Sequence, residues 1–327
     1  MRAKATMNMR EETFFAVSPL MIFPKALGRF RVYIKQAGNF VLYAPAGEQF
    51  TPRHRQKLHD AGVTEVYIRG EERPDYDRYI EKNLPFILGD TAIPVPERAK
   101  VLYTATDAVV RDVFDKRLPK GLGKREYARV AALVEKSLHF LAMEESLKCI
   151  AALVSHDYTV HTHNVHVFVY TAAVLNALKA DEYTQVQAGI GALLHDIGKT
   201  RIPGEILSKP GPLTAEERTL INTHPAKGVA LCQEVPLTQT AAACILMHHE
   251  RMDGTGYPGG LPGELIPLHV RAVALADVYD ALTTKRAYAD AMPPFQALRL
   301  MRDEMGEQFD MDVFKRLIMI LSDANMV

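Results

Sequence analysis

The residues best suited to chemistry are histidines and aspartates crowded into the second half of the chain. Of the 12 histidines, those from position 156 to 249 fall into four groups: His156, His161, His163 and His166; His195, followed directly by Asp196; His224; and the pair His248-His249. The pair opens the stretch His248-His249-Glu250-Arg251-Met252-Asp253-Gly254-Thr255-Gly256-Tyr257-Pro258, where metal-ligand types stand beside a glycine-bent loop. Any one group alone reads as ordinary surface or core histidine. Together with Asp196 and a later aspartate they converge only if their helices pack as a bundle, where inward-facing His, Asp and Glu build dinuclear sites. A mixed imidazole and carboxylate set without thiolate favours two divalent ions of iron or manganese over zinc, with magnesium or nickel also compatible. Asp196, adjoining His195, suits a bridge that gives one oxygen to each ion and holds them about 3.5 to 4 Å apart. The chemistry expected of such a site is that of a metallohydrolase. Two cations sharing a water or hydroxide lower its pKa and place it for attack.

The elements that must position these residues are helices. Val186, Ile190, Leu193, Leu194 and Ile197 recur at helical spacing, which puts His195-Asp196 near the end of an amphipathic helix that Gly198 can stop. Thr214-Ala215-Glu216-Glu217 is a capping box for a helix running to about Gln233, with His224 in its middle. Pro236 separates it from a helix whose carboxyl end delivers His248-His249. A helix after Pro267 holds Asp277 and Asp280, Pro293-Pro294 opens another, and the last covers Val313 to Leu321. Residues 143–327 therefore read as all-α. His161, His163 and His166 lie within two helical turns, and helical geometry alone does not choose among them.

Ahead of this region, residues 1–95 read as a small α+β module of regulatory or sensor type. Phe30 to Lys35 alternates with period two, Gly38-Asn39 signals a turn and Phe40 to Tyr43 forms a second strand, making a hairpin. Thr51 caps a helix from Pro52 to about Asp60, Gly62 closes it, and Val63 to Ile68 returns as a strand. Arg53, His54, Arg55 and Lys57 read as a solvated basic face, with His54 and His59 at the surface. Residues 96–142 read as a helical connector: an apolar stripe through Val101, Leu102, Ala105 and Val109, a break at Leu118 to Gly123, and a second helix from Tyr127 to about Leu141.

Composition narrows the function classes. The 327 residues carry 39 Lys+Arg against 39 Asp+Glu, so no net charge attracts a nucleic-acid polymer or an anionic membrane. Cys149, Cys232 and Cys244 are odd in number and lie in apolar helical segments, which reads as free buried thiols. No apolar run reaches the roughly 20 residues that span a bilayer, and no apolar stretch of signal-peptide type follows Met1 to Met9, so a cytoplasmic protein is expected.

In sequence order, His195-Asp196 with Gly198-Lys199, then Asn222-Thr223-His224-Pro225, then His248-His249-Glu250 through Tyr257-Pro258, then Ala276-Asp277-Val278-Tyr279-Asp280-Ala281-Leu282 resemble the motifs of the HD-GYP domain. That family is the subset of HD-type metal-dependent phosphohydrolases that opens cyclic di-GMP. The resemblance covers about 144–321 and not the amino-terminal module. It implies a mainly α fold with a C-terminal HD-type helical bundle, and metal ligands at His163, His195, Asp196, His224, His248, His249 and Asp277. His163 takes its place because the segment from His156 to Tyr170 then aligns without a gap. Asp196 and Lys199 are the implied catalytic residues, with Lys199 and Arg286 on phosphate oxygens. Gly256 and Tyr257 are implied to meet substrate or docking diguanylate cyclase (GGDEF) proteins. Members with a third metal have a glutamate four residues before this histidine. Here that residue is Thr159, which implies two metals and linear pGpG as the main product. Where the family commonly continues Arg-Pro-Tyr-Lys, this chain reads Arg286-Ala287-Tyr288-Ala289, so one phosphate contact is missing. A homodimer is compatible with the pattern. The competing readings are a module that binds a cyclic dinucleotide without turnover, and an HD-type hydrolase of another nucleotide.

Overall fold

The computed structural model describes residues 14–22, 28–115, 118, 120–151, 160–285 and 290–323. The chain divides into two compact units, Met1–Ala105 and Thr106–Val327.

In the first unit, strands β1 (Phe14–Val17), β2 (Val32–Gln36), β3 (Asn39–Ala44) and β4 (Val66–Arg69) form an antiparallel sheet in the order β1-β4-β2-β3. β2 and β3 make the expected hairpin, but Gln36 pairs with Asn39 and the two-residue turn is Ala37-Gly38. Both turn residues sit at positive φ, as the right-handed twist of a tight hairpin demands, so Asn39 belongs to the strand. β1 was not anticipated; it pairs with β4 through Phe15 opposite Ile68 and Val17 opposite Val66. Helix α1 (Pro52–Asp60) begins as read, with Thr51 as cap. His54 departs from expectation, because it is half-buried and its Nδ1 accepts the Thr51 backbone N–H at 3.1 Å. Arg55 likewise turns inward, donating to the Leu20 carbonyl at 2.7 Å. Helix α2 (Arg73–Gly89) covers the sheet with Tyr76 and Tyr79 edge-on to Phe30. Helix α3 (Val95–Phe114) runs from the first unit into the second.

The second unit continues with α4 (Lys124–Leu141), α5 (Glu144–Ala151), α6 (Val160–Ala177), α7 (Glu182–Leu194), α8 (Gly204–Leu207), α9 (Ala215–Ile221), α10 (His224–Leu231), α11 (Gln239–Met247), α12 (Leu268–Thr283), α13 (Pro294–Met305) and α14 (Met311–Asp323). From His163 to Leu175 every residue of α6 is buried, the signature of a helix surrounded by others. It packs on α4, α7, α12 and α14, while α11 bridges α7, α10 and α12. The protein is mainly helical, as the periodicity predicts. No described helix is long and apolar enough to cross a membrane. Cys232 and Cys244 are buried free thiols, and Cys149 is partly exposed.

The helix expected from Thr214 to Gln233 is in fact two helices. Thr214 and Glu217 do form the capping box, but α9 stops at Ile221 and α10 starts at His224. Pro225 accounts for the break. It has no N–H to offer the Ile221 carbonyl four residues back, and its ring blocks a continuous helix. His224 therefore stands at a helix start, not on a helix face.

Candidate metal centre

Three histidines are aimed by one device. The carbonyls in the last turn of a helix have no partner within it. His195 Nδ1 donates to the Ala192 carbonyl at 2.7 Å, His224 Nδ1 to that of Ile221 at 2.9 Å, and His248 Nδ1 to that of Ile245 at 2.9 Å. These carbonyls belong to the last turns of α7, α9 and α11. A carbonyl only accepts, so each Nδ1 carries the proton and each Nε2 keeps a lone pair on the opposite side of the ring. For His224 the acceptor is the carbonyl that Pro225 leaves free.

The Nε2 atoms gather around Asp196 in two sets. On one side, Asp196 Oδ2 lies 3.5 Å from His195 Nε2 and 3.8 Å from His163 Nε2, and Asp277 Oδ1 lies 3.0 Å from His163 Nε2. On the other, Asp196 Oδ1 is 3.3 Å from His224 Nε2 and 3.9 Å from His248 Nε2. His249 joins this second side by its closeness to His224 and His248, and its Nδ1 also lies 3.7 Å from Oδ2 of Asp277 on the first side. The ligand atoms of His163, His195 and Asp277 lie within 4.8 Å of one another, as do those of His195, Asp196 and His248, and those of His224, His248 and His249. All seven residues that the sequence nominates are thus brought together.

These donors fit divalent cations. His224 Nε2 and His248 Nε2 are 3.1 Å apart with both Nδ1 protons committed elsewhere, so two lone pairs face each other. A shared cation relieves that repulsion. His195 Nε2 is buried without a hydrogen-bond partner, a costly state that a metal bond removes. Burial lowers the pKa of His195 and His248, and lowers that of His249 to about 3, so these rings are neutral and ligand-competent at ordinary pH. Burial pushes the Asp196 and Asp277 carboxyls up, but the Lys199 ammonium at Asp196 and the close His163 imidazole at Asp277 outweigh it. Both stay well below the usual carboxylate range. A metal here meets deprotonated ligands, as binding requires.

Lys199 follows a helix that ends sooner than expected. α7 stops at Leu194, well before Gly198, and a 3₁₀ turn over Ile197–Arg201 follows. That tighter turn swings Lys199 Nζ to 2.6 Å from Asp196 Oδ2. Gly198 has another task. A Cβ there would lie 1.9 Å from the His224 carbonyl oxygen, so only glycine lets the turn touch α10. Gly198→Ala will force the His195 and His224 segments apart and destabilise the chain by about 1–3 kcal/mol, the range for overpacking. Thermal unfolding of the metal-free chain measures it.

The rim loop folds back on the segment that supplies His248 and His249. Buried Glu250 accepts the Gly259 N–H at 2.6 Å and the Leu261 N–H at 3.0 Å, one on each carboxylate oxygen. Tyr257 N–H donates to the His249 carbonyl at 3.1 Å, and the Tyr257 ring stacks on the His249 imidazole with centroids 4.6 Å apart. The Tyr257-Pro258 peptide is cis. Gly256 is where the fold-back needs no side chain, since a Cβ would lie 2.5 Å from both Arg251 N and Glu250 Cα. Burial, with Asp277 and Asp196 nearby, raises the Tyr257 pKa, so its hydroxyl stays protonated. Glu250 as anchor was not anticipated; the role of Asp280, which the sequence leaves open, is here a buried pairing with His163 and His166. His156, Asp157, Thr159 and Arg286 lie outside the described residues.

A family model described as the HD domain matches residues 128–313. The chain belongs to that family. Among its relatives, "Cyclic di-GMP phosphodiesterase PA4108" of Pseudomonas aeruginosa is 33% identical over 279 residues, covering 80% of this chain and 66% of that protein. That likeness extends into the first unit, beyond the region the sequence motifs covered. "Cyclic di-GMP phosphodiesterase response regulator RpfG" of Xanthomonas campestris is 45% identical over 123 residues, 37% of this chain and 32% of that one. "3'3'-cGAMP-specific phosphodiesterase 3" of Vibrio cholerae is 36% identical over 155 residues, 47% of this chain and 34% of that one. The chain thus spans less than two thirds of each of these curated relatives. The solved structure of Bd1817, "a HDG"Y"P protein from Bdellovibrio bacteriovorus", shares the fold at a TM-score of 0.65 and 21% identity, over 94% of this chain and 99% of that one.

Proposed function

We propose that the chain is a dinuclear metal-dependent phosphodiesterase that hydrolyses cyclic di-GMP, mainly to linear pGpG, under the influence of its amino-terminal unit. The observation that carries this reading is the Asp196 carboxylate, whose two oxygens face two separate sets of inward-pointing imidazoles. Residues His163, His195 and Asp277 would hold one ion, His224, His248 and His249 the other, and Asp196 both. Two bound cations supply Lewis acidity and a water of lowered pKa. Attack of water on one phosphorus breaks one P–O3′ bond and leaves a linear dinucleotide with a 5′-phosphate. Lys199 Nζ, beside Asp196, is placed to meet a phosphoryl oxygen, and Tyr257 offers a ring edge at the rim for a base. Linear pGpG as end product follows from Thr159 standing where a third metal's glutamate would be.

The relatives support a cyclic dinucleotide as substrate, and the Vibrio cholerae relatives motivate one second reading, 3′3′-cGAMP. Chain loaded anaerobically with iron or manganese is incubated with each nucleotide separately and the products are resolved by chromatography. Faster loss of cyclic di-GMP with accumulating pGpG is expected. Complete conversion to GMP defeats the linear-product assignment, and faster loss of 3′3′-cGAMP favours the second reading. Retention of nucleotide without turnover by metal-loaded chain makes it a binding module instead.

A further inference from the structure

Asp280 stands one turn after Asp277 on α12 and is completely buried, as are His163 and His166, one turn apart on α6. Its Oδ2 lies 2.7 Å from His163 Nδ1 and its Oδ1 2.7 Å from His166 Nδ1. Thr284 Oγ1 donates to the same Oδ1 at 3.2 Å. An ionised carboxylate only accepts, so both imidazoles carry their proton on Nδ1. The opposite ring nitrogen of His163, Nε2, is the one 3.0 Å from Asp277. Three histidines of the centre are oriented by carbonyls at the carboxyl ends of helices; His163, in the first turn of α6, is not at such an end and takes a carboxylate in its place.

We infer that Asp280 is a positioning residue of the metal centre, fixing the tautomer and ring plane of His163 so that Nε2 is offered as a ligand, with His166 as the second tether that keeps the carboxylate from turning. The inference rests on the metal-centre reading above. It also separates the roles of the buried histidines on α6, with His163 presenting a donor and His166 holding the residue that aims it. Loss of a carboxylate behind a metal-ligating histidine costs about 10- to 100-fold in metal affinity. Because Asp280 contacts one side of the centre, the loss falls on the His163, His195 and Asp277 set and spares the His224, His248 and His249 set.

The test is calorimetric titration of the chelator-treated full chain with Mn²⁺, comparing wild type with Asp280→Ala. The expected result is one site at wild-type affinity and one weakened by about 10- to 100-fold. A merely structural role would weaken both sites together or neither, and either outcome overturns the inference. A second measurement needs no variant. In chain labelled with ¹⁵N-histidine and loaded with Zn²⁺, long-range ¹H–¹⁵N correlations should show His163 and His166 protonated at Nδ1 and His163 Nε2 bound to metal. A His163 protonated at Nε2 overturns the inference. Wild-type chain that binds no metal defeats the metal-centre reading and this inference with it; two unchanged sites in Asp280→Ala defeat this inference alone.

Discussion

On the proposed function, Asp196→Ala will lower kcat/KM for cyclic di-GMP by at least about 10³-fold, the scale set by removing electrostatic stabilisation from a water-excluded site. It will also strip the chain of both metal ions. Its two oxygens divide between the imidazole sets: Oδ2 lies toward His195 and His163, and Oδ1 toward His224 and His248. The substitution also removes a carboxylate that Lys199 Nζ meets at 2.6 Å. Far-ultraviolet circular dichroism should be unchanged, because the helices are held by their apolar packing. Metal per chain by elemental analysis, alongside the chromatographic assay, decides the matter. Hydrolysis that survives in Asp196→Ala after the metals are gone would falsify both the bridging role and the metal-dependent mechanism.

The metal-free chain will lose stability as pH falls from 7 to 5. In the unfolded chain His195, His248 and His249 take up protons near their ordinary value of 6.5. In the folded chain burial keeps them neutral, His249 down to about 3. Between those limits the unfolded state binds more protons, so acid favours unfolding. Each histidine contributes a loss of up to about 1.4 kcal/mol per pH unit in that window. The aspartates act in the same direction at lower pH: the stability contributed by Asp196 and Asp277 is present above their unfolded value of 3.8 and is lost as pH falls through their depressed folded values. Melting temperature against pH in the presence of chelator measures the trend, and His248→Gln should flatten it by removing one of the titrating rings. A melting temperature that holds steady or rises from pH 7 to 5 would sink the expectation. In the loaded chain, protons also compete with metal for the imidazoles, so metal release should track the same window.

Much of the second unit was legible because its helices are long and periodic, and because histidine, aspartate and proline are chemically conspicuous. What escaped was set by tertiary partners or by the main chain. The choice among His161, His163 and His166 depends on Asp280, 117 residues or fewer downstream and itself marked by nothing but its place after Asp277. The break before His224 did have a local signal. Pro225 cannot sit inside a continuous helix, yet the strong capping box at Thr214 drew the helix through it. The helix bearing His195-Asp196 was expected to run to Gly198, whereas the chain leaves the α conformation at Asp196 and tightens into a 3₁₀ turn. Strand β1 is only four residues long and takes its identity from pairing with β4, far along the chain. Glu250 was invisible for a different reason: its partners are the backbone amides of Gly259 and Leu261, and amides carry no sequence label.

That last anchorage has a consequence for how such a rim can diversify. Glu250 grips main chain, while the exposed side chains of Arg251, Thr255 and Pro258 are outside its grip. Fastening through peptide amides therefore puts no demand on which side chains occupy those exposed positions. The outer face of the loop can change its side chains while the main-chain bonds stay put. A metal centre of fixed design can in this way carry an interchangeable mouth.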